Sequence, residues 1–407
     1  MKVFQIETLL RPHEIDLNDL RSLDSVFDGS RIVGVGEGAH FVSEFSLARA
    51  SLIRYLVERH LFNSIALECG AIQAARLTEW INSPDQECDF QRFAGPLTGG
   101  LYGAVLNWLK DYIKSSGHQL RLIGIDLPNT LSPKEDLVQL QETIQQVDPF
   151  SVARVDELVR LLDPIEGQSA VMSASTWGGL TSGERDKATA IICGLRLRLE
   201  SLAPVIRERC NRRQLQKVSE LLLAVEYTLE ALRGMKALFD GESIEGETSV
   251  RDRYMANSVE KLMNASPDMK MIILAHNNHI QRTHVSFSGE LTAVPMGQHL
   301  SDMEYYRAIA LTHIGPTVPE MHFPSAASPV GFSVESAPAA DLRADSIEQH
   351  IGIIEGAKKS SLAVLLPSNT VPKSIRSQSA LMEIDVNMAF DAVLCTPQAT
   401  KDGQVCF

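Results

Sequence analysis

Positive charge is scarce in this 407-residue chain: 38 lysines and arginines stand against 51 aspartates and glutamates, a net charge of −13. With no basic stripe, nothing would draw nucleic acid or an anionic membrane, so neither is expected as a partner. No apolar run approaches the length of a membrane span. The start, Met1-Lys-Val-Phe-Gln-Ile-Glu, has no long apolar core and no small-residue cleavage site, so no secretory signal is expected. The six cysteines, Cys69, Cys88, Cys193, Cys210, Cys395 and Cys406, form no C-x-x-C pair. That excludes a zinc knuckle and argues against a disulfide framework, leaving a reducing cytoplasm as the expected location and small buried residues as the role of most of them. G-x-S-x-G is absent too, which excludes the nucleophile elbow of an α/β-hydrolase.

What is present is ordinary globular material, 44% hydrophobic and 22% charged, in a chain long enough for a large core. Apolar runs recur at 31–35, 64–67, 121–125, 271–275, 307–311, 362–366 and 392–394. Several are continuous rather than alternating, as in strands covered on both faces. Helical patterns such as 43–59, 71–82 and 101–114 separate them. The rhythm predicts an α/β fold: a mainly parallel sheet with helices on both faces. It breaks between 133 and 265, where leucine-rich stretches at 182–202 and 211–239 flank Pro204, read as the turn of a helix pair. The expected organisation is an α/β catalytic core from 1–132 and 266–407. Residues 133–265 form a helical insertion over the ligand edge, serving as a wall or lid, or as an oligomerisation surface. The Pro-, Ser- and Gly-rich segment 312–339 reads as an ordered surface loop.

Four strand ends carry polar groups. Glu37 and His40 follow Arg31-Ile-Val-Gly-Val-Gly, with Arg49 in the next helix. Glu68 closes Ser-Ile-Ala-Leu, Asp126 closes Leu-Ile-Gly-Ile, and His276-Asn277-Asn278-His279 follows Met-Ile-Ile-Leu-Ala on what reads as a short loop. Parallel strands put these ends on one edge, where open α/β sheets bind ligands. A rival reading exists, because Gly34-Val-Gly36-Glu-Gly38-Ala39 matches a dinucleotide-binding turn. However, Glu37 would set a carboxylate against a pyrophosphate, and Glu68 lies beyond the usual ~20-residue interval. His276 and His279 raise metal binding, although the H-E-x-x-H acid is missing. Cys69 beside Glu68 is a poor thiolate, since the carboxylate raises its pKa. What remains is an imidazole among carboxylates, suited to activating water directly. Arg49 would stabilise an oxyanion or pair with Glu37 or Glu68.

These residues, together with Ser249-Val-Arg251-Asp252 and Pro295-Met-Gly297, resemble the erythromycin esterase family along most of the chain, and its type I members most closely. The resemblance implies hydrolysis of the macrolactone ester of erythromycin-type antibiotics, and so macrolide resistance, with water as co-substrate and no cofactor or metal. It makes His40 the general base and Glu37, Arg49, Glu68, His276 and His279 its catalytic companions. Asp126, Asn277 and Asn278 are assigned to substrate binding. A metal-dependent hydrolase of another ester and a non-catalytic macrolide binder are the alternatives.

Overall fold

The strands the apolar runs predict assemble into one sheet in the computed structural model, which describes residues 2–6, 17–83, 90–287, 289–325, 328–365 and 372–407. In chain order its strands are β1 (Lys2–Ile6), β2 (Ile32–Val35), β3 (Ser64–Gly70), β4 (Arg121–Asp126), β5 (Met271–Leu274), β6 (Tyr306–His313), β7 (Ser361–Leu365) and β8 (Ala392–Thr396). In space they run β1-β7-β8-β6-β2-β5-β3-β4. The six from β8 to β4 are parallel, and β7 and β1 add an antiparallel edge. The fold class is therefore the one expected. Leu366, the last residue of the sixth expected run, and Cys88 lie outside the described residues.

Successive residues of the central strands serve opposite faces, as a period of two requires. Val33, Val35, Leu67 and Leu274 pack with Phe45, Leu52 and Leu56 of the helix Ser43–His60. Ile32, Ala66 and Ile273 pack on the other side with Met255, Val259 and Ile280. Both faces are dry, so the sequence shows unbroken apolar runs.

Two compact units emerge, one from Met1–Asp126 with Glu245–Phe407 and the other from Leu127–Ile244. The second is helical: Lys134–Val147, Val152–Leu162, Ala170–Gly179, Ser182–Arg209 and Arg212–Asp240. Arg198 ties its long helix to Asp148 by two hydrogen bonds of 2.6 and 3.1 Å. The helix Ser249–Ala265, which the sequence placed with the insertion, belongs to the first unit. Met255, Ala256 and Val259 pack it onto Ile125, Met271 and Ile273.

Three local expectations need correction. Pro204 lies inside the helix Ser182–Arg209, and the turn falls at Cys210 and Asn211. There Asn211 and Gln214 form a reciprocal cap that starts the next helix. Segment 312–339 is no plain loop. It carries an antiparallel ribbon, Thr317–His322 against Ser333–Pro338, with Pro319 on a two-stranded edge where a missing N–H is tolerated. Finally, His276 to Ile280 form a cap and one helical turn (Asn277–Ile280) rather than a loop.

Candidate active site

The strands whose ends carry polar groups are neighbours in the order β2-β5-β3-β4, so their carboxyl ends deliver Glu37, His276, Glu68 and Asp126 to one edge. After β2 the chain turns sharply through Gly36 to Val42. A Cβ on Gly36 would lie 1.9 Å from Asn277 Oδ1, and one on Gly38 would lie 2.8 Å from the carbonyl oxygen of Leu311. The glycines thus admit a buried amide and a backbone from within the protein. That removes the reason to read the turn as a phosphate cradle. Phe41 takes φ 65°, a conformation costly for a side chain with a Cβ and one that collects at functional sites.

This turn aims the first cluster. Glu37 Oε1 meets His40 Nδ1 at 2.8 Å, and Arg49 Nη1 donates to Glu37 Oε2 at 2.7 Å. Arg49 also donates to the carbonyls of Ala275 (2.7 Å) and Gly36 (3.2 Å) and is only 1% exposed. Of the alternatives for Arg49, the ion pair with Glu37 is the one present. The His40 side chain is 23% exposed, more than its neighbours. A carboxylate at Glu37 requires Nδ1 to be the donor, which leaves the lone pair on Nε2.

The second cluster surrounds Glu68. Its Oε2 accepts the backbone N–H of His276 at 3.0 Å, and its Oε1 lies 2.7 Å from Arg251 Nη2 and 3.4 Å from His279 Nε2. Burial opposes the Glu68 charge, but His279 and Arg251 outweigh it and hold the carboxyl well below its ordinary range. Asp126 takes Arg251 in a fork, with Nε at 2.9 Å from Oδ2. Asp252 Oδ1 accepts from His279 Nδ1 and from the backbone N–H of Met296, each at 2.8 Å. Burial disfavours the charged His279 ring, yet Asp252 and Glu68 prevail and its pKa rises to about 10. His276 behaves oppositely. Burial and the neighbouring His40 and His279 rings push it well below its usual value, so it is neutral. Its Nδ1 accepts from the N–H of Asn278 at 3.2 Å, and its Nε2 is buried with no hydrogen-bond partner among the described residues. The His40 and His276 rings are 4.9 Å apart.

Glu37, His40, Arg49, Glu68, Asp126, His276 and His279 thus converge. Asn277 stands apart from a binding role: it is wholly buried, and its amide bridges the backbone of Leu311 (Nδ2 to O 2.8 Å, N to Oδ1 3.3 Å). Asp126 likewise serves Arg251. Asn278 is half-buried and accepts from Ser377 Oγ at 3.2 Å. The sequence assigned no role to Arg251 and Asp252. An Arg-Asp pair at a helix start looks like ordinary terminal charge, and only the packing of that helix beside β4 reveals their use. Among the described residues no three His, Cys, Asp or Glu side chains form a metal-ligand group. No described helix is long and apolar enough to cross a membrane.

The chain is similar to known proteins along most of its length. The family profile described as erythromycin esterase matches residues 57–398. The chain is 56% identical to erythromycin esterase type I of Escherichia coli, over 98% of each chain. It is 25% identical to erythromycin esterase type II of Escherichia coli, over 92% of this chain and 91% of that one. Among solved structures, a mutant of the erythromycin esterase EreC in its open conformation superposes with a TM-score of 0.97 at 53% identity, covering all of both chains.

Proposed function

The chain belongs to the erythromycin esterase family, and from that premise we propose that it opens the macrolactone ring of erythromycin-type macrolides by hydrolysing its ester, with His40 as general base. The Glu37–His40 pair carries this reading: a partly exposed imidazole is held by a buried carboxylate at 2.8 Å with its other nitrogen turned to accept a proton. Water bound at Nε2 gives His40 a proton as its oxygen attacks the ester carbonyl carbon. Glu37 then stabilises the imidazolium that forms, and Arg49 fixes Glu37. The tetrahedral intermediate collapses by breaking the bond to the ring oxygen. The departing alkoxide takes a proton from His279, which is charged at neutral pH because Asp252 and Glu68 hold it so. The products are a carboxylic acid and an alcohol on one opened chain; the acid gives its proton to His279, restoring that ring's charge and leaving a carboxylate, and His40 releases its proton to solvent. The charge on the ring that gives its proton comes from the two carboxylates around it.

Binding without turnover and metal-bound water are both distinguishable from this route. Incubation with erythromycin should add the mass of one water to the antibiotic, catalytically and with protein kept in chelator. A ligand recovered unchanged would make the protein a binder. Activity abolished by chelation and restored by zinc would replace His40 with metal-bound water.

A further inference from the structure

Besides its own strand and helix, the turn that carries His40 is gripped by a hairpin. The strand Ser374–Ser377 pairs with Ala380–Glu383, and Gln378 leads the turn between them. Gln378 seizes the catalytic turn twice. Its backbone N–H donates to the carbonyl of Gly38 at 2.6 Å, and its side-chain Oε1 accepts the backbone N–H of His40 at 2.7 Å. Its Nε2 donates in turn to Glu320 Oε1 at 3.2 Å, and Glu320 Oε2 accepts the N–H of Ser379 at 2.9 Å. To make these contacts Gln378 adopts φ 54°, a left-handed conformation that a side chain disfavours. Phe41, on the other side of His40, is left-handed as well. The base of the hairpin is firm. Buried Arg376 donates to the carbonyls of His313, Gly315 and Ala340, and buried Glu348 accepts the N–H of Arg376 at 2.8 Å.

We propose that Gln378, oriented by Glu320, is a positioning residue that sets His40 against its water, so that the hairpin turn and the catalytic turn act as one rigid piece. The proposal rests on His40 being the base. A strained residue that reads two backbone groups of a neighbouring turn has no packing purpose that alanine or glycine would not serve. A small misplacement of a general base has a large kinetic effect.

The test is a set of variants assayed on erythromycin beside His40→Ala, with thermal midpoints measured for each. Gln378→Ala and Gln378→Gly are expected to lower kcat about tenfold or more with KM nearly unchanged. The glycine variant should be at least as heat-stable as the alanine one, since it relieves the left-handed strain. Glu320→Gln with Gln378→Glu reverses the donor and acceptor between the two side chains while keeping an acceptor for the His40 N–H. This double variant should recover much of the kcat that Gln378→Glu alone loses. On a His40→Ala background, Gln378→Ala should have no further effect. Independently of turnover, ring carbon signals of labelled histidine should show the His40 resonance, identified by its loss in His40→Ala, moved or broadened in Gln378→Ala. Unchanged kcat and an unchanged His40 signal would overturn the proposal, as would a loss of kcat that only follows the folded fraction or a double variant no better than its singles. If His40→Ala keeps normal turnover, the assignment of the base fails instead, and the ring signal still decides whether Gln378 positions His40.

Discussion

At His279 burial opposes the charged ring, while Asp252 at 2.8 Å and Glu68 at 3.4 Å favour it, and the carboxylates win. A histidine whose folded pKa is raised from 6.5 to about 10 contributes stability that is fully present below pH 6.5 and is lost as pH climbs through 10. His276 works with the other sign. Its folded pKa is lowered, so the unfolded chain binds the proton first and stability falls as pH drops below 6.5. Melting temperatures between pH 6.5 and 10 should therefore decline in the wild type and decline less in Asp252→Asn. Parallel curves for the two proteins would show that Asp252 does not hold the His279 charge. His40 is open to a simpler measurement. His40→Ala should reduce kcat by ~10²–10⁴ while leaving the fold intact, the range expected for a positioned base. A folded variant with ordinary kcat would remove His40 from the reaction.

Among the elements, the turn after β2 and the helical turn Asn277–Ile280 meet closely. A methyl group on Gly36 collides with Asn277 Oδ1, and that amide is pinned to Leu311. Gly36→Ala should destabilise the protein by about 1–3 kcal/mol in urea unfolding, as overpacking does. Adding Asn277→Ala should make the pair far from additive, because the obstacle is gone. Strict additivity would mean the two residues do not meet. Such joins divide what the sequence reveals from what it hides. The central strands are legible because burial on both faces leaves unbroken apolar runs, and Glu37, Glu68, Asp126 and His276 are legible because each ends one. Arg251, Asp252 and Gln378 are not, because a charged helix start and a glutamine in a serine-rich stretch resemble solvated surface until long-range packing aims them inward. The ribbon at Thr317–His322 is hidden by its proline, and the edge strand β1 by the lysine and glutamine that interrupt its apolar residues.

For the whole molecule, the sheet order sets what must open together. β5 lies between β2 and β3, hydrogen-bonded to both, although its first residue, Met271, comes 201 positions after Gly70, the last of β3 (271 − 70). The amides of β2, β3 and β5 should exchange with solvent as one slow unit, separately from the helices of Leu127–Ile244. Early exchange of β5, with β2 and β3 still protected, would contradict this. The same interleaving bears on how the protein is made. As the ribosome adds residues, β2 and β3 exist long before the strand that must lie between them. At ~5–20 residues per second the nascent chain carries those two unpaired edges for roughly 10–40 s. Unpaired edges recruit strands from other chains. In a cell making many copies at once, crowded polysomes would expose the half-made sheet to its own kind, and the yield of active protein would depend on translation speed and on chaperones that cover β2 and β3 until Met271 emerges.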